Sequence, residues 1–160
     1  MISFERLSMA QKKKIVHDTD WGAALERVIG YALQKNWKVA FVADGPDQSK
    51  TDITGQVWIQ IDSSNPLEHQ LYFFLHECGH AVEVIKLGKS AWNSKYAGQA
   101  SSSINNLEHR ISRLFEEMTA WDHAMTIAVE LSLQINHNSF SSLKTTSLST
   151  YVSWTSEVIQ

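Results

Sequence analysis

Residues 76–80 of this chain read His-Glu-Cys-Gly-His. Two imidazoles four apart share one face of an α-helix, so His76 and His80 can grip one metal ion while Glu77 stands beside an open coordination position. That combination activates water. The His and Glu content of the chain gives about 0.02 such matches by chance, so the motif is informative. Catalytic zinc takes three protein ligands and keeps a fourth position for water, which leaves one donor to be found elsewhere.

The third donor is sought in residues 104–133, where Leu107, Ile111, Leu114, Met118, Trp121, Met125 and Ala128 recur at helical spacing. Two adjacent carboxylates, Glu116 and Glu117, fall in the middle. With Met118 at the centre of the apolar stripe and about 100° per residue, Glu117 lies about 100° away at the edge of the buried face and Glu116 about 160° away. Glu117 is thus the better-placed ligand, and Glu116 is read as facing water and pairing with Arg113. Ordinary surface pairing with Arg110 and Arg113 is the alternative for both carboxylates.

His76-Glu77-Cys78-Gly79-His80 followed by Glu117-Met118-Thr119-Ala120-Trp121 and Ala124 resembles the His-Glu-x-x-His … Glu-x-x-Ala pattern of small gluzincin-type zinc metallopeptidases. The ImmA/IrrE-like family and phage-encoded proteins of similar build are the nearest in kind. The resemblance covers roughly residues 20–130, with only the two metal-bearing helices specific. It implies zinc held by His76, His80 and Glu117, with Glu77 as general base in the hydrolysis of a peptide bond of a protein or peptide substrate. It also implies an α+β, minimal zincin-like domain in which an edge strand runs beside the cleft. Residues 57–61 are the candidate for that edge, with an ordinary core strand as the alternative. The sequence departs from the pattern at Trp121, where many such peptidases carry a small polar residue. Asp122 stands one position beyond the aspartate found four after the ligand glutamate in larger gluzincins, and no further histidine follows closely after His80, which argues against the metzincin pattern.

The elements that must position these residues are legible to different degrees. Pro66 and Gly88 bracket a helix carrying Leu67, Leu71, Phe74, Leu75, Cys78, Val82 and Ile85 on its apolar stripe, with His76 and His80 off it. Asp20 caps an earlier helix ending near Asn36. Residues 37–42 and 56–62, rich in β-branched and aromatic side chains, read as two strands separated by a polar loop. Residues 88–103 read as a loop, and the chain from Asn136 as a Ser- and Thr-rich tail with an amphipathic end at residues 151–159. A tetrahedral intermediate needs a hydrogen-bond donor for its oxyanion, and Tyr96, His109 and His123 are the candidates, Tyr96 foremost as a catalytic residue.

Composition bounds the rest. The 160 residues suit one domain with a buried core, at 43% hydrophobic and 19% charged content. A lone cysteine, Cys78, leaves no internal disulfide and reads as a small buried hydrophobe. Net charge of −3 and a pI near 6.1 give no footprint for nucleic acid, and the basic run at residues 12–14 is too short to change that. Neither a membrane span nor a secretory signal is visible, so a cytoplasmic protein is expected. A zinc-stabilised regulatory or protein-binding factor that cuts nothing is the rival reading; Glu77 favours an enzyme, because a purely structural site has no use for a base.

Overall fold

The computed structural model describes residues 20–52, 54–96 and 107–156. The basic run at 12–14, residues 97–106 with the expected start of the second metal helix, and the end of the chain beyond 156 lie outside them. Asp20 accepts a hydrogen bond from Ala23 N (3.0 Å) and caps α1, Trp21–Gln34, as expected. Leu25, Val28 and Ala32 turn inward at the helical interval. Strands β1 (Lys38–Val42), β2 (Gln48–Thr51) and β3 (Val57–Asp62) follow. In β3 the side chains of Val57, Ile59 and Ile61 are buried while Trp58 faces out, the period-two signature of a strand with one face on a core.

The sheet order is β1-β3-β2, with β1 parallel and β2 antiparallel to β3. Residues 57–61, expected at the edge, are therefore central. The edge beside the cleft is β2, read from sequence as part of a polar loop. Its Gln-Ser-Lys-Thr composition carries no hydrophobic alternation; it becomes a strand because Ser49 and Thr51 register against Ile59 and Val57. The Asp52 carboxylate, accepting from Thr54 N (2.7 Å) and Gln56 N (3.0 Å), closes the intervening turn. Gly55 supplies the positive φ of 84° there.

Helix α2, Leu67–Leu87, has Pro66 as N-cap residue and Gly88 (φ 72°) as C-cap residue, as the sequence predicts. From residue 70 to 79 it is buried on almost every side, because α1 and the sheet cover one face and α4 the other. The short α3, Lys89–Lys95, opens the connection that was read as a loop. Helix α4 spans Leu107–Glu130, and α5, His137–Ser156, replaces the expected tail. Asn136 Oδ1 accepts from Asn138 N and Ser139 N at the start of α5, and Tyr72 Oη on α2 accepts from Asn136 N (3.1 Å).

α4 keeps Trp121 and Ala128 of its expected stripe buried but not the rest. Glu116, Glu117, Ala120, Trp121 and Ala124 are buried, whereas Leu107, Ile111 and Met118 are 46%, 40% and 40% exposed. An edge-to-face aromatic chain, Trp21–Tyr72–Phe140–Trp121, joins α1, α2, α5 and α4. Among the described residues the fold is α+β, five helices with one three-stranded mixed sheet, and no helix there is long and apolar enough to cross a membrane.

Candidate metal centre

The crossing of α2 and α4 assembles the site. At that crossing a Cβ on Gly79 would stand 2.2 Å from Ala120 O, so only glycine permits the two backbones to come this close. One turn before Ala120 on α4 lies Glu117, opposite His76 and His80. The structure brings these three residues together as the sequence predicts, with one donor atom from each inside a sphere where all lie within 4.8 Å of one another. His76 Nε2 is 3.2 Å and His80 Nε2 3.6 Å from Glu117 Oε2, so both rings aim the same nitrogen at one oxygen. His76 Nε2 is buried and, despite that distance, has no hydrogen bond of acceptable geometry. A buried polar atom without such a partner is rare, and one aimed at two further donors fits a bound divalent ion. The two-nitrogen, one-oxygen set does not distinguish zinc from its neighbours.

Trp121 stacks on the His76 ring at a centroid distance of 4.5 Å and 26° between planes, fixing its orientation. Trp121, where the sequence departs from the pattern it resembles, thus holds the His76 ring in place by packing on its face. Glu116, expected to face water, is instead buried with Oε1 3.2 Å from His80 Nδ1. Its expected pairing with Arg113 is present: Arg113 gives Nη1 to Glu116 Oε2 and Nη2 to Glu117 Oε1 (3.2 Å). Trp121 stacks on His76 and Ala120 abuts Gly79, and docking through that face carries Glu116 and Glu117 inward.

Burial works against protonated His76 and His80, but the carboxylates of Glu117 with Glu77 and of Glu116 with Glu117 outweigh it, raising both, His80 to about 10. Glu117 shows the converse: burial alone would raise it, and the two imidazoles hold it far below the ordinary carboxylate range. Desolvation raises Asp47, whose Oδ1 accepts from Asp62 N (2.7 Å). Cys78 is buried as expected, its thiol pushed up by desolvation.

A cleft of about 1110 Å³ opens over His76, Glu77 and His80. Gln48, Ser49 and Thr51 of β2 line one side, and Thr146, Thr150 and Tyr151 of α5 the other. Burial, then the Glu117 charge, pushes the Tyr151 phenol up to about 12. Sequence reading missed Tyr151 because Ser and Thr dominate residues 137–156. The interval Phe140, Leu143, Ser147, Leu148, Tyr151 and Trp154 is the helical signal that could have found it.

Tyr96, expected to serve the oxyanion, is not in the cleft. It is 2% exposed and donates to Glu83 Oε1 at 3.3 Å, one turn along α2 from His80. His123 also meets Glu83, Nε2 to Oε2 at 2.8 Å, and His109 packs edge-on to Trp154; neither lines the cleft. Asp122 points outward to Lys144 Nζ (2.7 Å) and orients no histidine.

Glu83, buried one turn past His80, ties α2 to α3 through Lys95 and to α4 through His123. Burial would raise its carboxyl, but Lys95 and His123 lower it below the ordinary 4.5. A depressed folded value means that this stabilisation is present above the unfolded pKa and is lost as pH falls through the folded one. Glu83→Gln is expected to destabilise the protein by about 2 kcal/mol at pH 7, between exposed and fully buried pairs. The difference from wild type should shrink below pH 4.5. Urea denaturation of both proteins at several pH values checks this; a gap that stays constant on acidification contradicts it.

Comparison with protein-family models, curated proteins and solved structures gives no match for this chain.

Proposed function

We propose that this chain is a zinc-dependent peptidase of the small gluzincin type, with a minimal zincin-like fold, that hydrolyses a peptide bond of a protein or peptide substrate. The observation that carries the reading is the convergence of His76, His80 and Glu117 on one point, with Glu77 beside them at the floor of an open cleft. His76, His80 and Glu117 would hold a divalent ion, which would supply Lewis-acid activation of water and of a carbonyl group.

The chain's own residues divide the remaining work. Glu77, one position from His76 and lining the cleft, takes the proton of the attacking water and passes it to the departing amine. An extended substrate fits beside β2, which among the described residues pairs with β3 alone and so has one free edge for backbone hydrogen bonds. Tyr151, on the opposite wall, replaces Tyr96 as the donor for the carbonyl oxygen as negative charge develops. The neutral phenol is the form that donates, and it is the form present at neutral pH.

The test is digestion of a diverse peptide pool by zinc-loaded protein, with Glu77→Gln as control. Wild type is expected to cleave, and Glu77→Gln to bind zinc with equal stoichiometry while losing at least about a hundredfold in rate. Cleavage that persists in Glu77→Gln contradicts the assigned base. Zinc binding without cleavage of any peptide favours the non-catalytic binding factor.

A further inference from the structure

We infer that Glu116 is a positioning residue for the metal centre, holding His80 from behind so that its Nε2 faces the other donors. The inference rests on the metal-binding reading above and adds a residue to it. His80 has two ring nitrogens with different surroundings: Nε2 faces Glu117 Oε2 at 3.6 Å, and Nδ1 faces Glu116 Oε1 at 3.2 Å. An imidazole that gives one nitrogen to a metal carries its proton on the other, and a carboxylate there fixes both the tautomer and the ring plane. Glu116 is placed for that task and not for ligation, since the donors that meet within 4.8 Å are those of His76, His80 and Glu117.

Two features distinguish this from an incidental contact. Glu116 is 6% exposed, and an ionised carboxylate is buried only where several partners hold it. Arg113 provides a second hold, its two terminal nitrogens reaching the neighbouring carboxylates separately, so that Glu116 and Glu117 are fixed relative to each other. The other ring is held from two sides: His76 has the Trp121 indole against its face and Glu77 Oε1 3.4 Å from its Nδ1.

The experiment measures zinc affinity by competition with a chromogenic chelator, and cobalt(II) absorption as a report of ligand number, in wild type, Glu116→Ala, Glu116→Gln and Glu117→Ala. Glu116→Ala is expected to bind zinc about 10- to 100-fold more weakly with an unchanged cobalt spectrum, as for loss of an outer partner. Glu116→Gln keeps an oxygen that accepts from Nδ1–H and is expected to recover most of the affinity. It also preserves the side-chain volume should the alanine variant fail to fold. Wild-type affinity in a folded Glu116→Ala overturns the inference while leaving the metal site standing. A cobalt spectrum altered as in Glu117→Ala overturns it by making Glu116 a ligand. Absence of metal from the wild type itself overturns the functional reading and the inference together.

Discussion

Gly79→Ala is expected to destabilise the protein by about 3 kcal/mol and to abolish stoichiometric metal binding. The added Cβ would meet Ala120 O at 2.2 Å and Ala120 C at 2.9 Å, atoms of a backbone that cannot turn aside as a side-chain tip does. Replacing glycine by alanine in a helix interior contributes about 1 kcal/mol in favour of folding. At this crossing the clash outweighs that gain. The helices relieve it only by separating, and separation carries Glu117 away from His76 and His80, so stability and metal affinity must fall together. Gly30, inside α1, is the matched control: its Cβ would meet nothing within 4 Å. Gly30→Ala should leave metal binding intact and hold or slightly raise stability. Chemical denaturation and metal stoichiometry of both variants decide the matter, and a Gly79→Ala protein as stable as wild type would show that the crossing is looser than described.

Glu117→Ala is expected to lower zinc affinity by more than about a hundredfold, beyond the 10- to 100-fold range of an outer partner. The substitution removes the oxygen on which both Nε2 atoms converge and leaves two histidines, too few for a catalytic site. It also leaves Arg113 with one carboxylate in place of two. Measurement against the same chelator series ranks the two glutamates directly. Tighter binding in Glu117→Ala than in Glu116→Ala would exchange their roles.

The parts of the site that could be read from the sequence were those encoded by short-range regularities. Asp20, Pro66 and Gly88 mark helix ends because caps act on their immediate neighbours, and the spacing of His76 and His80 is a property of one helix. The orientation of α4 was less legible because charged Arg110, Glu116 and Glu117 turn inward along with Ala120 and Trp121, while Ile111, Phe115 and Met118 face out. Hydrophobic periodicity assumes that the buried face is the apolar one, and a functional site is where that assumption fails. Strand β2 failed for another reason: nothing within Gln-Ser-Lys-Thr favours extension, and its partner β3 supplies the order. Tyr96 stands between the two donor-bearing helices in sequence, but the cleft wall opposite β2 comes from α5, later in the chain.

The donors on α2 and α4 come from separate stretches of chain and converge only when those helices dock. An ion that binds this arrangement has no equivalent partner in the unfolded chain, so its free concentration enters the folding equilibrium by mass action. At a hundredfold excess over its dissociation constant, such an ion adds about 2.7 kcal/mol to the apparent stability. On the proposed reading, ion supply would set the lifetime of the folded chain against proteolysis as well as its activity.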